Sequence, residues 1–585
     1  MPADSANIAR HLPLMAARQP HRPAVKIPRG RTPDGDIDYL TLTFAELDAE
    51  VDAWCARLAA RGVRSGDRTL VMVRQGLPLI ALAFALFKLG AVPVVIDPGM
   101  GLRSFLACVG RSGPRVVVAI PFAQLVSRVF RVPFRTVAVR AVVSSSLTAR
   151  LRPRAEAGDR KPASLSSLQA PISRIVASRA TDPAAILFTS GSTGFPKGVR
   201  YEHGMFEAQA RLIRDTYAIE PGEIDLPLLP VFALFDPALG MTAVVPEFDP
   251  RHPAAADPDK IVRAIRQEGV TNAFGSPTLW GKIADHCGAR GLTLPSVRRV
   301  LCAGAPVPAS LWTAARRLLP GGRLHSPYGA TEVLPVSTVT ADEIDATSVR
   351  GALVGRPLRE NRVKIIGITE EPIATLADAR ELPAGAVGEI IVSGPTVTRE
   401  YDRLPEATKL AKIQSPNSQS PGNEDAPDSF GARNPRPGAF APAEAGAVWH
   451  RMGDCGYLDA AGRLWFCGRV AERVETAGGA LFTEPCEQVF RRHAGVARCA
   501  LIGLGRAGRQ QPALVVQPAA RQANAATLAG ELRALALQHE HTKDIRRFYF
   551  HRRFPVDVRH NTKIDRLKLA RWAATARAVE VTGDK

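Results

Sequence analysis

The run Phe188-Thr189-Ser190-Gly191-Ser192-Thr193-Gly194-Phe195-Pro196-Lys197-Gly198 constrains this chain more than any other feature. Glycines alternating with hydroxyls and closed by a lysine have nothing to bury, so the run is a loop. An apolar strand over 185–188 leads in, and a helix with spaced apolar residues over 201–217 leads out, which predicts a strand–loop–helix unit. Its chemistry is phosphate binding: glycines let backbone N–H groups turn towards an anion, Thr189, Ser190, Ser192 and Thr193 add donors, and Lys197 adds positive charge. The spacing differs from the G-x-x-x-x-G-K-[ST] loop, so a P-loop nucleotidase is not implied. A turn that merely needs glycine is the plain alternative, and it leaves the hydroxyls and the lysine unexplained.

The loop sits in an α/β context. A strand over 70–73, a helix over 77–89 and a strand over 92–96 form a parallel β-α-β unit, and further strands are predicted at 300–302, 363–366 and 389–392. With 585 residues the chain exceeds the size of a single core, so at least two folding units are expected. The Pro-, Ser-, Asn- and Gly-rich stretch 414–447 reads as a flexible insertion, and the basic stretch 144–171 as a surface excursion. Past Gly468 the strand and helix pattern restarts. We therefore expect a large domain over 1–467 and a small one over 468–585.

Several function classes drop out on composition. The longest apolar stretch, 77–96, is broken by Lys88, Gly90 and Pro93, which argues against a membrane span. The first residues include Asp4, Asn7 and Arg10, a pattern unlike a secretion signal, so the cytoplasm is the expected compartment. Eight scattered cysteines lack metal-site spacing and read as reduced, buried thiols. A formal net charge of +20 invites a nucleic-acid reading. The arginine-rich region 128–179 lacks interleaved aromatics and matches no nucleic-acid motif, so a solvated basic face and no nucleic-acid partner are expected.

The loop closely resembles the phosphate loop of the adenylate-forming superfamily, which includes acyl-CoA ligases, peptide-synthetase adenylation domains and luciferases. Further strings extend the resemblance over most of the chain. Gly304-Ala305-Pro306 is similar to the family's adenine-contacting turn. Tyr328-Gly329-Ala330-Thr331-Glu332 resembles its Y-G-x-T-E motif, and Arg451-Met452-Gly453-Asp454 its G-D motif. Gly468-Arg469 looks like the hinge motif, with Ala471 where Asp or Lys is usual. His560-Asn561-Thr562-Lys563-Ile564-Asp565 resembles the C-terminal motif, although Pro555-Val556-Asp557 replaces the usual Pro-Lys-Thr lead-in.

The resemblance implies a large α/β domain of mixed sheets and helices with a small, mobile α+β lid. It also implies ATP and Mg²⁺ as cofactors. Tyr328 would stack on adenine, Thr331 would contact the α-phosphate, Glu332 would hold Mg²⁺, Asp454 would bind the ribose hydroxyls, and Lys563 would neutralise the reacting carboxylate. These roles suit the groups: an aromatic face fits a purine, and a carboxylate is a hard ligand for Mg²⁺.

Acyl-CoA ligases usually carry a His near the acyl entrance, where this chain has Pro230. The string 226–237, with 473–476 and 555–564, instead looks like the olefin β-lactone synthetases. That subgroup activates a 2-alkyl-3-hydroxy fatty acid and lets the substrate's own 3-hydroxyl displace AMP, which implies partner enzymes of olefin synthesis. By this reading Phe232, Phe235 and Phe274 line an acyl pocket, although each also suits ordinary core. Asp236 either orients or deprotonates the 3-hydroxyl, or simply caps a helix before Pro237. Two alternatives stay open: a long-chain fatty acyl-CoA ligase, and a non-catalytic binding protein on the same scaffold.

Overall fold

The computed structural model describes residues 5–143, 175–189, 195–249, 253–345, 348–415, 447–520, 524–555 and 564–581. Among them the strands assemble into sheets of fourteen, six, four and two strands. The helix Leu77–Lys88 is buried along nearly its whole length, as its unbroken apolar sequence requires. Its terminal Lys88 is matched by Asp48 at 3.4 Å and by Asp52.

The six-stranded sheet runs Val139–Val142, Val116–Ala119, Arg68–Met72, Val92–Val95, Pro183–Thr189 and Lys197–Glu202. Neighbours are parallel except the last pair. The glycine loop therefore does not pass from strand to helix as expected. It joins two antiparallel strands that pair Thr189 with Lys197, and the helix begins only at His203. The β-branched and aromatic residues Val199 and Tyr201 suit the intervening strand.

The fourteen-stranded sheet has a parallel centre: Thr242–Val244, Ile224–Pro227, Asn272–Gly275, Arg299–Cys302 and Arg323–Ala330. Helices Pro258–Glu268, Pro277–Ala289 and Ala309–Leu318 occur between successive strands of this centre. Such crossovers leave the carboxyl ends of the strands facing one crevice, the usual place for a ligand in an α/β sheet. Leu464–Arg469 belongs to this sheet, so the expected boundary at 468 falls inside a strand. After it, Val496–Leu504, Gln511–Pro518, Arg547–Phe550 and Val579–Glu580 make the four-stranded sheet. Val489, Phe490, Leu501, Leu514, Leu532 and Phe548 form a core of its own.

Two expected loops fall mainly outside the described residues: 144–171 entirely, and 414–447 over 416–446. The ends of the second pair with each other, Gln414 opposite Val448, so the chain leaves and re-enters the sheet at adjacent positions. All eight cysteines are buried and unbridged. No helix among the described residues is long and apolar enough to cross a membrane.

Candidate active site

A cavity of about 3070 Å³ reaches the carboxyl ends of the parallel strands at Pro227, Ser276 and Ala303 and extends along the sheet to Asp225, Asn272 and Arg299. Lys197, Gly304, Ala305, Pro306, Tyr328, Gly329, Thr331, Glu332, Asp454 and Arg469 all line it. The same cavity is lined by Phe232, Phe235, Asp236 and Phe274. Of the remaining predicted residues, Thr189 is described only through its backbone pairing with Lys197. Ser190, Gly191, Ser192, Thr193, Gly194 and Lys563 lie outside the described residues.

The Tyr328–Glu332 motif sits at the end of the strand Arg323–Ala330, where the chain folds back into Val333–Thr340. Gly329 is required there, because a Cβ would lie 2.8 Å from the carbonyl oxygen of Val333. The half-buried Tyr328 donates its hydroxyl to Asp454 Oδ2 at 2.7 Å. On the next strand Arg469, directly opposite Asp454, approaches Oδ1 at 2.9 Å. Burial first, and then the Asp454 carboxylate, hold the Tyr328 phenol well above its ordinary range, so it stays a donor. Two sequence strings 126 residues apart are thereby fixed as one surface.

Glu332 is fixed just as closely, by residues the motifs do not contain. The Tyr401 hydroxyl donates to Glu332 Oε1 at 2.8 Å, and Thr398 donates to the Glu332 carbonyl oxygen through its backbone N–H at 2.9 Å and its hydroxyl at 3.1 Å. Tyr201 donates to the Thr331 carbonyl oxygen. Lys197 Nζ stands 4.8 Å from the centre of the Tyr401 ring, within cation–π range. Beneath them the buried Lys412 ammonium donates to Thr398 Oγ1 at 3.2 Å, and burial lowers its pKa to about 7 although Glu332 pulls the other way. Burial also depresses the neighbouring His450 well below the ordinary histidine range, which keeps it neutral. No sequence signal marked Tyr401, Thr398 or Lys412, since each acts only by tertiary contact.

The acyl end is apolar. Phe232 and Phe274 stack with ring centres 3.5 Å apart, and Phe235 lies 6.3 Å from Phe232. Asp236 is the first residue of the short helix Asp236–Leu239, and Phe235 holds the N-cap position, so Asp236 is not the capping residue. It is only 1% exposed, and its Oδ2 has no hydrogen-bond partner among the described residues. Asp225, on the strand Ile224–Pro227, meets it side chain to side chain and also lines the cavity. A charged residue inside the apolar run Ile224-Asp225-Leu226 was the available signal, and it was missed.

On the far side, Arg566 holds the chain just after Lys563 against Glu472 at 2.8 Å and Glu487 at 3.0 Å. Gly468, with φ +126°, approaches Thr483 so closely that a Cβ would stand 2.1 Å from the threonine hydroxyl. The turn carrying Ala471 is thus bounded by close contacts with the C-terminal region on both sides.

A model of the AMP-binding enzyme family matches residues 14–402. An olefin beta-lactone synthetase of Xanthomonas campestris pv. campestris is 44% identical over 586 residues, covering 98% of each chain. A second, from Stenotrophomonas maltophilia, is 42% identical and covers 97% of this chain and 98% of its own. Among solved structures, an amide bond synthetase from Marinactinospora thermotolerans superposes with a TM-score of 0.72 over 97% of this chain and 99% of its own, at 22% identity. That likeness shows the shared α/β fold. With the fold, the cavity and full-length identity in agreement, the chain belongs to the AMP-binding enzyme family, in the branch that holds these olefin beta-lactone synthetases.

Proposed function

We propose that this enzyme uses ATP and Mg²⁺ to convert a 2-alkyl-3-hydroxy fatty acid to its acyl-adenylate and then closes the adenylate to a β-lactone, releasing pyrophosphate and then AMP. The observation that carries the reading is the continuity of one cavity, lined by the nucleotide-type groups Tyr328, Glu332 and Asp454 and by the apolar wall Phe232, Phe235 and Phe274. Relatives at 44% and 42% identity that are named for the same reaction support it.

In the first step a carboxylate oxygen attacks the α-phosphorus in line, and pyrophosphate leaves with the electron pair of the broken P–O bond. Positioning and electrostatics supply most of the acceleration. Lys197 and the loop 189–194 offset charge on the β- and γ-phosphates, Thr331 contacts the α-phosphate, and Lys563 draws the acid and the α-phosphate together. Asp454 accepts from the ribose hydroxyls, with Arg469 holding it in place, while Gly304, Ala305, Pro306 and Tyr328 bound the adenine.

Glu332 fits a magnesium ion, because the Tyr401 hydroxyl fixes a hard carboxylate oxygen donor on the cavity wall. Among the described residues no group of three or more His, Cys, Asp or Glu side chains could hold a metal. Its remaining ligands would therefore be phosphate oxygens and water. When bound, the ion neutralises negative charge on the departing pyrophosphate.

In the second step the 3-hydroxyl oxygen attacks the acyl carbon, the acyl–phosphate bond breaks, and AMP departs. The tethered nucleophile loses little translational freedom, which offsets part of the ring strain. Asp236 is placed in this scheme as the group that faces the 3-hydroxyl. The working units are the large domain, with the insertion 414–447, and a lid that follows the strand Leu464–Arg469 and excludes water from the adenylate. The reading implies a cytoplasmic enzyme working beside those that make the hydroxy acid and decarboxylate the lactone.

Incubation with ATP, Mg²⁺ and a 2-alkyl-3-hydroxy acid tests it. A product lighter than the acid by one water, formed equally with and without coenzyme A, is expected. An acyl-CoA thioester as the sole product would replace this reading with the acyl-CoA ligase one.

A further inference from the structure

The region around Asp225 holds a second carboxyl group that the adenylation chemistry does not use. Asp225 projects from the central strand Ile224–Pro227, between Thr242–Val244 and Asn272–Gly275, and is 6% exposed. Asp236 comes in from the short helix after the turn Pro230–Leu234 and shares a side-chain hydrogen bond with it. Two carboxyl groups in hydrogen-bond contact require at least one proton between them, because adjacent like charges in a dry site repel. Burial pushes Asp225 up to about 8, and burial with the neighbouring Asp225 holds Asp236 well above the carboxylate range.

The surroundings leave this pair to titrate as a unit. The flanking strands Thr242–Val244 and Asn272–Gly275 and the turn Pro230–Leu234 carry no titratable side chain. The charged groups nearby are Glu223, which immediately precedes the strand, and Arg299, two strands across. These two satisfy each other at 2.5 Å, with Asn272 donating to Glu223 at 2.7 Å. One polar atom in the group has no partner among the described residues, Asp236 Oδ2, and it belongs to a side chain on the cavity wall beside Phe235. A buried oxygen without a hydrogen bond is destabilising, and a substrate donor at that point would relieve it.

We propose that Asp225 and Asp236 form a proton-sharing carboxyl pair that binds the substrate's 3-hydroxyl at Asp236 Oδ2 and accepts its proton during lactone closure, with Asp225 as the positioning residue. The proposal rests on the lactone reading. In the singly protonated pair the shared proton sits on Asp236, pointing to Asp225, and it moves onto Asp225 as Asp236 Oδ2 takes the hydroxyl proton. The hydroxyl oxygen forms the ring C–O bond, the acyl C–O bond to phosphate breaks, and AMP leaves with that electron pair. The hydroxyl proton passes to Asp236 and later to solvent. The doubly protonated pair cannot accept it, so closure is confined to the pH range in which the pair has lost one proton. The same acceptor selects 3-hydroxy acids over plain fatty acids.

The test is the ratio of lactone formed to pyrophosphate released, followed against pH with a 2-alkyl-3-hydroxy acid. In the unsubstituted enzyme the ratio should rise with pH through the first ionisation of the pair. Asp236→Asn should lower it by about 10²-fold, the usual contribution of a positioned base. Asp225→Asn replaces the carboxyl that shares its proton with a weaker amide donor, so the singly charged state is less stabilised and the rise should move to higher pH. A residue that merely supports the fold would not move that limb. A limb at the same pH in Asp225→Asn, or an undiminished ratio in Asp236→Asn, overturns the pair while leaving the lactone reading intact. Pyrophosphate release with no lactone from the unsubstituted enzyme sinks the lactone reading itself. A further readout needs no variant: KM for the 3-hydroxy acid should be lower than for its 3-deoxy counterpart by about tenfold or more, and equal values overturn the pair.

Discussion

Tyr401 and Lys412 show how much of this site depends on side chains that touch nothing reactive. Glu332 faces a cavity that would hold several phosphate charges, and Tyr401 fixes one of its oxygens at 2.8 Å. Loss of a hydrogen bond to a charged group costs about 1.5–3 kcal/mol, so Tyr401→Phe should slow pyrophosphate release by about tenfold or more, with the deficit largest at low Mg²⁺. An unchanged rate across a magnesium titration would show that Tyr401 only packs. Lys412 carries a stability consequence. Its pKa is 10.5 in the unfolded chain and about 7 in the fold, where burial disfavours the ammonium. The fold binds fewer protons at this site between those values. The contribution is therefore complete above the unfolded value and is lost as pH falls through the folded one. Denaturant midpoints of the enzyme relative to Lys412→Met should improve with pH across that window, by at most about 1.4 kcal/mol per pH unit. A difference that does not vary with pH would mean that Lys412 is ordinarily ionised.

At the scale of elements, the hairpin of Arg323–Ala330 and Val333–Thr340 carries the heaviest constraint. Its turn presents Tyr328, Thr331 and Glu332 to one cavity, and it closes only because Gly329 lets the backbone pass close to Val333 and Leu334. In Gly329→Ala the new methyl group meets a carbonyl oxygen at 2.8 Å, so the turn must open. Displacement of about 1 Å in positioning groups costs on the order of 10²-fold in rate. ATP-dependent pyrophosphate release should fall by that order, while the melting temperature drops by only a few degrees. A rate within about twofold of the unsubstituted enzyme would show that the turn absorbs the methyl without moving the site. The hairpin that replaces the expected strand-to-helix passage at Lys197 matters for the same reason. Lys197–Glu202 sets Lys197 opposite Thr189, at the base of the glycine loop and over Tyr401.

At the scale of the molecule, the cavity joins the large sheet to the C-terminal region, whose Arg566 and Lys568 contribute to its wall. A ligand that binds only this assembled form stabilises it by mass action, about 2.7 kcal/mol at a concentration 100 times Kd. ATP with Mg²⁺ should therefore raise the melting temperature by about 2–4 °C, and Asp454→Ala should show little of that gain at the same nucleotide concentration. An equal shift in both proteins would mean that the nucleotide does not depend on Asp454.

The sequence by itself determined the chemistry on offer and the class of fold. Glycines among hydroxyls, Tyr328, Glu332 and Asp454 are legible because each motif is local, and the parallel strands because alternation and apolar runs are local too. The motifs did not reveal which groups hold them. Tyr401 lies 69 residues from the glutamate it fixes, and Asp454 lies 126 residues from Tyr328. No local propensity encodes such a meeting. Even the residue that sequence did single out, Asp236, stayed divided between capping a helix and serving a substrate. Only the fold decided it: Phe235 takes the N-cap position of the Asp236–Leu239 helix, and Asp236 is buried beside Asp225. Burial sets what a carboxylate can do, and burial is a property of the assembled fold.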